Sequence, residues 1–575
     1  MTADRDPSNR EIADAFTLLG DLLTIEGAER HRVRAYHRGA ERIRDTRESV
    51  AALARAGRAT GLPDIGKTLQ SKIVELADTG TIAALERVKE RVPAGLVELA
   101  RLPGVGPGRA VAMWRELGVT DMESLRAAVG EGRLTDVPGI GPKLAAGIAA
   151  AVAAHRDDAP APRVGAGVAL PLAEEFAAVL REHPAAARVE VAGSLRRGRE
   201  DAHDIDLVVA TDDPAAVLAH LAASPLVDEV AAAGPAKVAV ISNRGLRVEV
   251  TCGPPGRFGN LLQHATGSAA HNTRLRERAK RMGYSLSEHG WTGPDGEDGA
   301  PDEEAVYALL GLRTPDPEIR EDRGETERGL GDAPFPELVT GADLAGQVHV
   351  HTTWSDGRET LPHMVEAARA LGYRYLGVSD HSQSLALTRG LTPDRVRRQW
   401  DEIDALNDGF GDGFRVLKCT EMDILADGGL DFEDDLLEGF DLVIASVHQG
   451  VSAGGDAVTR RLLRAIESPH VDVIGHPTGR KRPRREGASI DIDAVAEAAA
   501  RTGTILEING QPPRQDLDSD MARRALEAGV RLLVSSDAHS PAELGYVSYG
   551  IRIARRAGAT AADVANCAPW PWRCR

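Results

Sequence analysis

Val348-His349-Val350-His351-Thr352 and, far downstream, Ser535-Ser536-Asp537-Ala538-His539-Ser540 enclose the part of the chain whose reading decides the fold. An extended backbone through the first stretch puts both imidazoles on one side, because side chains alternate along a strand. Between the two stretches, further polar candidates each follow an apolar, strand-like run. Tyr375-Leu376-Gly377-Val378 precedes Asp380-His381, and Arg415-Val416-Leu417-Lys418 precedes Glu421. Leu442-Val443-Ile444-Ala445 precedes His448, Val471-Asp472-Val473-Ile474 precedes His476, and Leu532-Leu533-Val534 precedes Asp537 and His539. Asp356 sits in Trp354-Ser355-Asp356-Gly357. Alanine-rich helical patterns separate most of the runs, which predicts repeated β/α units. In a barrel of such units the loops after the strands build the site, so these residues are expected to converge. One histidine after a strand is usually a satisfied surface or core residue; six histidines and three carboxylates at strand ends point to metal. The mixed imidazole and carboxylate set suits Zn, Mn or Fe, and no cysteine pattern of a structural zinc site accompanies it.

His-x-His-Thr, Ser-Asp-Gly, Asp-His-Ser, Ser-Val-His, His-Pro-Thr-Gly-Arg and Ser-Asp-Ala-His-Ser together resemble a PHP (polymerase and histidinol phosphatase) domain over residues 341–565. The resemblance implies a distorted (β/α)7 barrel holding up to three ions, Mn2+ or Zn2+. It places the ligands on His349, His351, Asp356, His381, Glu421, His448, His476, Asp537 and His539, with Glu421 bridging. Such a cluster polarises a phosphodiester and activates water, so phosphoester hydrolysis is the first expected activity.

The bulk properties set the frame. A chain of 575 residues predicts several domains, and the hydrophobic and charged fractions are those of an ordinary soluble protein. No apolar run is long enough to span a bilayer, and Met1-Thr2-Ala3-Asp4 opens no secretory signal. Cys252, Cys419, Cys567 and Cys574 show no CxxC spacing, which predicts a reducing, cytoplasmic setting. A formal charge of −18 argues against general polyanion binding but leaves room for a local basic stripe.

Such a stripe is expected on the N-terminal helices of residues 9–50. Arg30, Arg34, Arg38 and Arg42 recur every four residues and share one face, although ion pairs to Glu26, Glu29 and Glu41 would explain them equally well. Downstream, three hexapeptides repeat: Leu62-Pro63-Asp64-Ile65-Gly66-Lys67, Leu102-Pro103-Gly104-Val105-Gly106-Pro107 and Val137-Pro138-Gly139-Ile140-Gly141-Pro142. Their glycines permit tight hairpins whose backbone N–H groups, at the next helix's start, can face a phosphate. They look like helix-hairpin-helix motifs, which grip the DNA backbone without reading sequence. One alone would be weak; three in tandem make Gly66, Gly104, Gly106, Gly139 and Gly141 candidate DNA contacts, together with Arg34. The first hairpin continues Thr68-Leu69-Gln70-Ser71-Lys72-Ile73, which resembles the lyase domain of family X DNA polymerases. The resemblance puts a Schiff-base role on Lys72, against the commoner role of a helical lysine as a surface charge.

His155 to Gly167, rich in Asp, Ala, Pro and Gly, reads as a linker. Beyond it come Gly193-Ser194-Leu195-Arg196-Arg197-Gly198 and His203-Asp204-Ile205-Asp206-Leu207. On a strand Asp204 and Asp206 share a face while Ile205 and Leu207 point to the core. Adjacent carboxylates repel unless cations lie between them, which suits phosphoryl transfer with Mg2+ or Mn2+, and Gly193-Ser194 with Arg196 and Arg197 would hold triphosphate oxygens. The pair of motifs resembles the nucleotidyltransferase palm of family X DNA polymerases. Thr266-Gly267-Ser268-Ala269-Ala270-His271-Asn272 matches the start of that family's thumb and adds Gly267, Ser268 and Asn272 to the nucleotide contacts. Three positions depart from the pattern. Glu249 stands where the family has a third catalytic aspartate, His203 where it has glycine, and His264-Ala265 where it has an aromatic pair. An added methylene moves a carboxylate by roughly 1 Å, a shift that can cost on the order of a hundredfold.

Residues 314–340 read as a linker, and the basic run Gly479-Arg480-Lys481-Arg482-Pro483-Arg484-Arg485 is placed beside the metal site to hold DNA phosphates. The expected order is a helical lyase-like domain (1–90), helix-hairpin-helix fingers (91–160), palm (165–255), thumb (256–318), linker (319–340) and PHP barrel (341–565), a multidomain α/β chain. It resembles bacterial family X DNA polymerases that carry a C-terminal PHP domain. The resemblance implies a monomeric DNA repair enzyme acting on gapped, nicked or 3′-recessed DNA with dNTPs, no membrane partner, and 3′-5′ exonuclease activity in the barrel. Two rivals stand beside this reading: a phosphatase of small phosphomonoesters, and a DNA-end platform whose palm no longer polymerises.

Overall fold

The computed structural model describes residues 6–46, 48–154, 163–294, 296–451, 454–482 and 485–572. Most of the linker expected from residue 155, together with Pro483, Arg484 and Cys574, therefore lies outside the described residues. The chain forms two compact units, residues 1–162 with 214–250 and residues 163–213 with 251–575, so the expected palm interval is shared between them.

The first unit is mainly helical. Asn9–Glu26 begins at a capping box in which the Ser8 hydroxyl accepts from the Glu11 N–H, and ends at Gly27 in the left-handed region. Its apolar stripe, with Phe16, Leu19 and Leu23 fully buried, packs on Arg30–Asp45 and on the helices that follow. Of the acids offered as neutralising partners for the arginine face, Glu26 instead pairs with Arg91 at 2.6 Å and Glu29 with His31 at 3.5 Å. Arg30, Arg34 and Arg38 are exposed. The same unit holds an antiparallel pair, Val227–Ala233 and Lys237–Ser242, beside the helix Pro214–Ala222.

The second unit is dominated by seven parallel strands in sequence order: Gly346–Gln347, Tyr375–Val378, Arg415–Asp423, Leu442–Ser446, Val473–Gly475, Ile505–Asn509 and Leu532–Ser535. Most are buried at every position, as expected of parallel strands covered by helices. A bridge between Val350 and Ala538, with the His351 N–H donating to the Ala538 carbonyl at 2.8 Å, nearly closes the ring. At its N-terminal end the indole N–H of Trp572 donates to the Tyr375 hydroxyl at 2.8 Å, and Trp570 packs edge-on against Trp572. Trp570 and Trp572 thus lie against the barrel's floor.

Ahead of the barrel, Arg188–Val191 pairs antiparallel with Asp204–Ala210, Val191 opposite Leu207. Ile205 and Leu207 are buried while Asp204 and Asp206 are half-buried on the opposite face. The helix Ala269–Arg281 starts at Ser268, whose hydroxyl accepts from the His271 N–H. The first half of the segment 319–340 is structured, with Arg320 1 % exposed and Glu325–Leu330 helical, while residues 331–337 are irregular and largely exposed. No described helix is long and apolar enough to cross a membrane.

Candidate functional site

Glu421, at the C-terminal end of the strand Arg415–Asp423, lies at the centre of the histidines. Its Oε1 is 2.7 Å from His476 Nε2 and 3.0 Å from His448 Nε2. Its Oε2 is 3.0 Å from His381 Nδ1 and 3.4 Å from Nε2 of both His349 and His351. Asp537 Oδ1 approaches His351 Nε2 at 3.2 Å and His349 Nε2 at 3.8 Å. Asp356 Oδ2 is 3.5 Å from His539 Nε2, and its Oδ1 is 3.6 Å from His381 Nε2. All nine candidate ligands read from the sequence therefore meet at one end of the barrel. Four overlapping groups have ligand atoms within 4.8 Å of one another: His351, Asp356, His381 and His539; His349, His351 and Glu421; His349, His476 and Asp537; and His381, Glu421 and His448.

The donor set fits divalent cations. His349 Nε2, both nitrogens of His351, His381 Nδ1, His448 Nε2 and His476 Nδ1 are buried without a hydrogen-bond partner, a costly arrangement unless something accepts their lone pairs. The charges agree. Burial alone would lift the Glu421 carboxyl, yet His448, His381 and His349 hold it well below the ordinary range. Burial would depress His381, but Glu421 and Asp356 raise it to about 10. His351, buried beside His539 and His381, falls to about 4. The backbone is strained at two of the candidate ligands: His476 and Asp537 adopt φ of 26° and 51°.

Three further residues escaped the sequence reading. Glu507, buried on the strand Ile505–Asn509, accepts from His349 Nδ1, orienting that ring, and, at 2.6 Å, from the His476 backbone N–H, fixing the turn that carries His476. A carboxylate inside so apolar a strand was the available signal. Asp423 faces His448 Nδ1 at 3.3 Å, and its i+2 spacing from Glu421 puts both on one strand face. Arg514, 3.0 Å from Asp537 through Nε, gave no signal, because its loop brings it there. Asp380, beside His381 in sequence, serves the scaffold: it accepts from the Thr352 hydroxyl and the Gln399 amide, both at 2.6 Å. The cleft above the cluster holds about 500 Å³ and is rimmed by Arg358, Lys481, Arg485 and Arg514.

The palm-like residues sit in the loop between the paired strands. Gly193 has φ of 61°, and a Cβ there would fall 1.9 Å from Asp206 Oδ2, so glycine is required both by conformation and by contact. Ser194 is half-buried beside it. Both arginines are engaged by carboxylates. Arg196 makes a two-pronged contact with Glu303, at 2.9 and 2.6 Å, and Arg320 shares the same carboxylate. Arg197 pairs with Glu321 at 2.8 Å, which also takes Arg556 at 2.6 Å. Gly267 packs against Arg197, a Cβ there falling 3.2 Å from Nη1, and the Asn272 amide donates to the His264 carbonyl at 2.8 Å. His271, buried, links Glu325 at 2.6 Å to the Tyr307 hydroxyl at 2.8 Å. In the first unit Glu249 is held by Lys237 and Arg247, which lower its carboxyl against the effect of burial.

In the hairpins, Gly104, Gly106 and Gly139 adopt φ of 83°, 67° and 84°. Gly66 caps the helix Lys67–Thr79, and Gly141 precedes Pro142–Ala154, so each turn delivers free backbone N–H groups at a helix start. Lys72, on the first of these helices, is half-buried.

Barrel, hairpins and the strand-borne aspartates define a phosphatase-like barrel joined to a DNA-polymerase-like front. Known sequences agree region by region. Residues 7–82 match the helix-hairpin-helix domain, residues 96–153 the SAM-like helix-hairpin-helix tandem, and residues 261–321 the DNA polymerase beta thumb. A probable phosphatase of Thermoanaerobacter sp. (strain X514) is 33% identical over 165 residues, 27% of this chain and 65% of its own. One of Shewanella sediminis is 30% identical over 220 residues, 36% of this chain and 84% of its own. The DNA polymerase/3′-5′ exonuclease PolX of Bacillus subtilis is 37% identical over 561 residues, 97% of each chain. The chain belongs to the PolX family of DNA polymerase/3′-5′ exonucleases.

Proposed function

We propose that this protein is a DNA repair enzyme with two active centres on one chain. The helix-hairpin-helix elements hold gapped, nicked or 3′-recessed DNA by its phosphates, the barrel removes nucleotides from the 3′ end, and the palm adds them from dNTPs. The observation that carries the reading is Glu421 facing five imidazoles beneath a cleft rimmed by four cationic side chains. The 37% identity with the Bacillus subtilis protein over 97% of the chain supports DNA as the substrate of that site.

The nine barrel ligands would hold up to three ions, Mn2+ or Zn2+, and Asp204 with Asp206 would hold Mg2+ or Mn2+ in the palm. Cations at such sites polarise a phosphoryl oxygen and lower the pKa of water. The chain's own groups do the rest. Glu507 and Asp423 fix the rings of His349 and His448, and Arg358, Lys481, Arg485 and Arg514 hold the strand's phosphates over the cluster. In the palm, Gly193 and Ser194 leave backbone room for a triphosphate, which must compete with Glu303 and Glu321 for Arg196 and Arg197. Glu249, already paired with Lys237 and Arg247, makes the palm the weaker of the two centres. Lys72 remains a candidate for abasic-site chemistry, and the protein is assigned to the cytoplasm, on the nucleoid, as a monomer.

A 5′-labelled primer on a gapped template with Mn2+, followed with and without dNTPs, tests both centres. Shortening lost only in His349→Ala and extension lost only in Asp204→Ala is the expected result. Shortening with no extension in the wild type would make the palm a binding platform. The similarity to probable phosphatases favours a second reading, a phosphomonoesterase barrel. Turnover of a small phosphomonoester without attack on DNA would establish it.

A further inference from the structure

The cleft over the candidate ligands is almost entirely ionic: among the described residues that line it, Leu385 is the sole aliphatic one. A nucleotide is part anion and part flat, weakly polar ring. Its phosphate finds partners in Arg358, Lys481, Arg485 and Arg514, whereas its base finds apolar surface on one side only, where the loop 382–391 stands. That loop is firmly held at its base. Ser382 and Leu391 form an isolated bridge, the Ser384 hydroxyl donates to Asp423 at 2.9 Å, and the Ser384 N–H donates to Asp431 at 2.6 Å. At its tip the turn Ala386–Thr388 is closed by the Thr388 hydroxyl donating to the Leu385 carbonyl at 2.8 Å.

Between Leu385 and Thr388, both on the cleft wall, the turn holds Leu387 out at 99% exposure. Burying a leucine side chain is worth roughly 1.5–3 kcal/mol, and this one contributes nothing to the chain's own core. A single exposed leucine is ordinary on a protein surface. A fully exposed one, lifted on an anchored turn at the mouth of a hydrolytic cleft, is placed to meet a ligand.

We propose that Leu387 is a wedge against the base at the 3′ end of the DNA strand, packing on the terminal base pair and holding it open so that the last phosphodiester reaches the cluster under Glu421. The proposal rests on the exonuclease reading of the barrel. Unstacking a paired end costs a few kcal/mol per step, and contact of the base with the leucine offsets part of it. Leu387 therefore governs attack on paired ends and has no role where the end is already frayed. It is a specificity-determining residue, remote from the bond that breaks.

The test uses the full chain with Mn2+, comparing wild type, Leu387→Ala and Leu387→Met. The substrates are a 5′-labelled duplex with a paired 3′ end, the same duplex with a mismatched 3′ tail, and the p-nitrophenyl ester of thymidine 5′-monophosphate. Leu387→Ala is expected to slow the paired end by about tenfold, close to 1.4 kcal/mol, and to leave the mismatched end and the ester within about twofold. Leu387→Met restores the paired-end rate. An unchanged rate on paired ends, or an equal loss on all three substrates, overturns the wedge and leaves the exonuclease reading standing. A wild type that releases p-nitrophenol but shortens no DNA end overturns both.

Discussion

Arg482, on the basic hairpin that follows His476, places Nη1 3.1 Å from the Asp201 carboxylate, in the loop that carries the palm's glycine-serine pair. Other contacts tie the same loop to the barrel. Arg552 donates to the Leu195 carbonyl, Arg556 donates to the Arg197 carbonyl at 3.1 Å, and Glu200 accepts from the Ser519 N–H at 2.7 Å. On the hairpin's other side Lys481 and Arg485 line the cleft over the candidate ligands. One short hairpin thus lines the barrel cleft and pairs with the loop that carries the palm's glycine-serine pair.

The Asp201–Arg482 pair is only partly exposed, so it is expected at the upper end of the range for a surface ion pair. A double-mutant cycle with Asp201→Asn and Arg482→Gln in urea unfolding is expected to give a coupling of roughly 0.5–1 kcal/mol. Hydrogen exchange should rise in both segments, 193–201 and 479–486, when either partner is changed. Acceleration confined to the mutated segment would mean the hairpin and the loop move independently.

Glu303 makes the thumb region sensitive to acid. Burial would raise its carboxyl, but Arg196 and Arg320 hold it at about 2 against an ordinary 4.5. A depressed carboxyl contributes its full stability above 4.5 and loses it progressively as pH falls towards 2. The urea midpoint of the wild type is expected to drop steeply across that window. Glu303→Gln, which leaves two guanidinium groups without their carboxylate, lowers stability at neutral pH by about 3–5 kcal/mol and flattens the acid dependence. Equal acid slopes in the two proteins would assign the transition to other groups.

Metal retention should depend on Glu421 more than on any one histidine, because five imidazoles face it. Glu421→Gln is expected to lower bound Mn2+ or Zn2+, measured by elemental analysis, and to cut 3′ shortening by roughly a hundredfold or more, leaving primer extension unchanged. Dialysis against a chelator should lower the melting temperature of the wild type, since ions that bind only the folded barrel stabilise it, and lower that of Glu421→Gln by less. Matching losses in both proteins on chelation would place the stabilising ions elsewhere.

The barrel was legible because most of its candidate ligands obey a local rule: His381, Glu421, His448, His476, Asp537 and His539 each follow a hydrophobic run, which periodicity places at strand ends. What stayed hidden depends on long loops. Arg196 meets Glu303 across 107 positions and Arg197 meets Glu321 across 124, and nothing near either arginine marks those partners. Hence the triphosphate role read for both overlooked the carboxylates they hold. The charged run 319–340 read as a tether for the same reason. Buried Arg320 and Glu325 are polar by composition, and their burial follows from Glu303 and His271 lying ready to receive them. Arg514 and Leu387 belong to loops whose course no periodicity reports.

Gly193 gives the sharpest test of the palm. Its φ of 61° disfavours any side chain, and a Cβ would stand 1.9 Å from Asp206 Oδ2, well inside contact distance. Gly193→Ala must therefore either flatten the loop or push the Asp206 carboxylate off its place beside Asp204. Displacing a reacting group by roughly 1 Å is enough to cost about a hundredfold, so primer extension on a gapped template should fall by that order. The barrel lies outside this clash, and 3′ shortening should persist at the wild-type rate. Wild-type extension by Gly193→Ala would show that Asp206 is not held to its position by this glycine, and that the half-buried aspartate pair tolerates a wider loop than its packing implies.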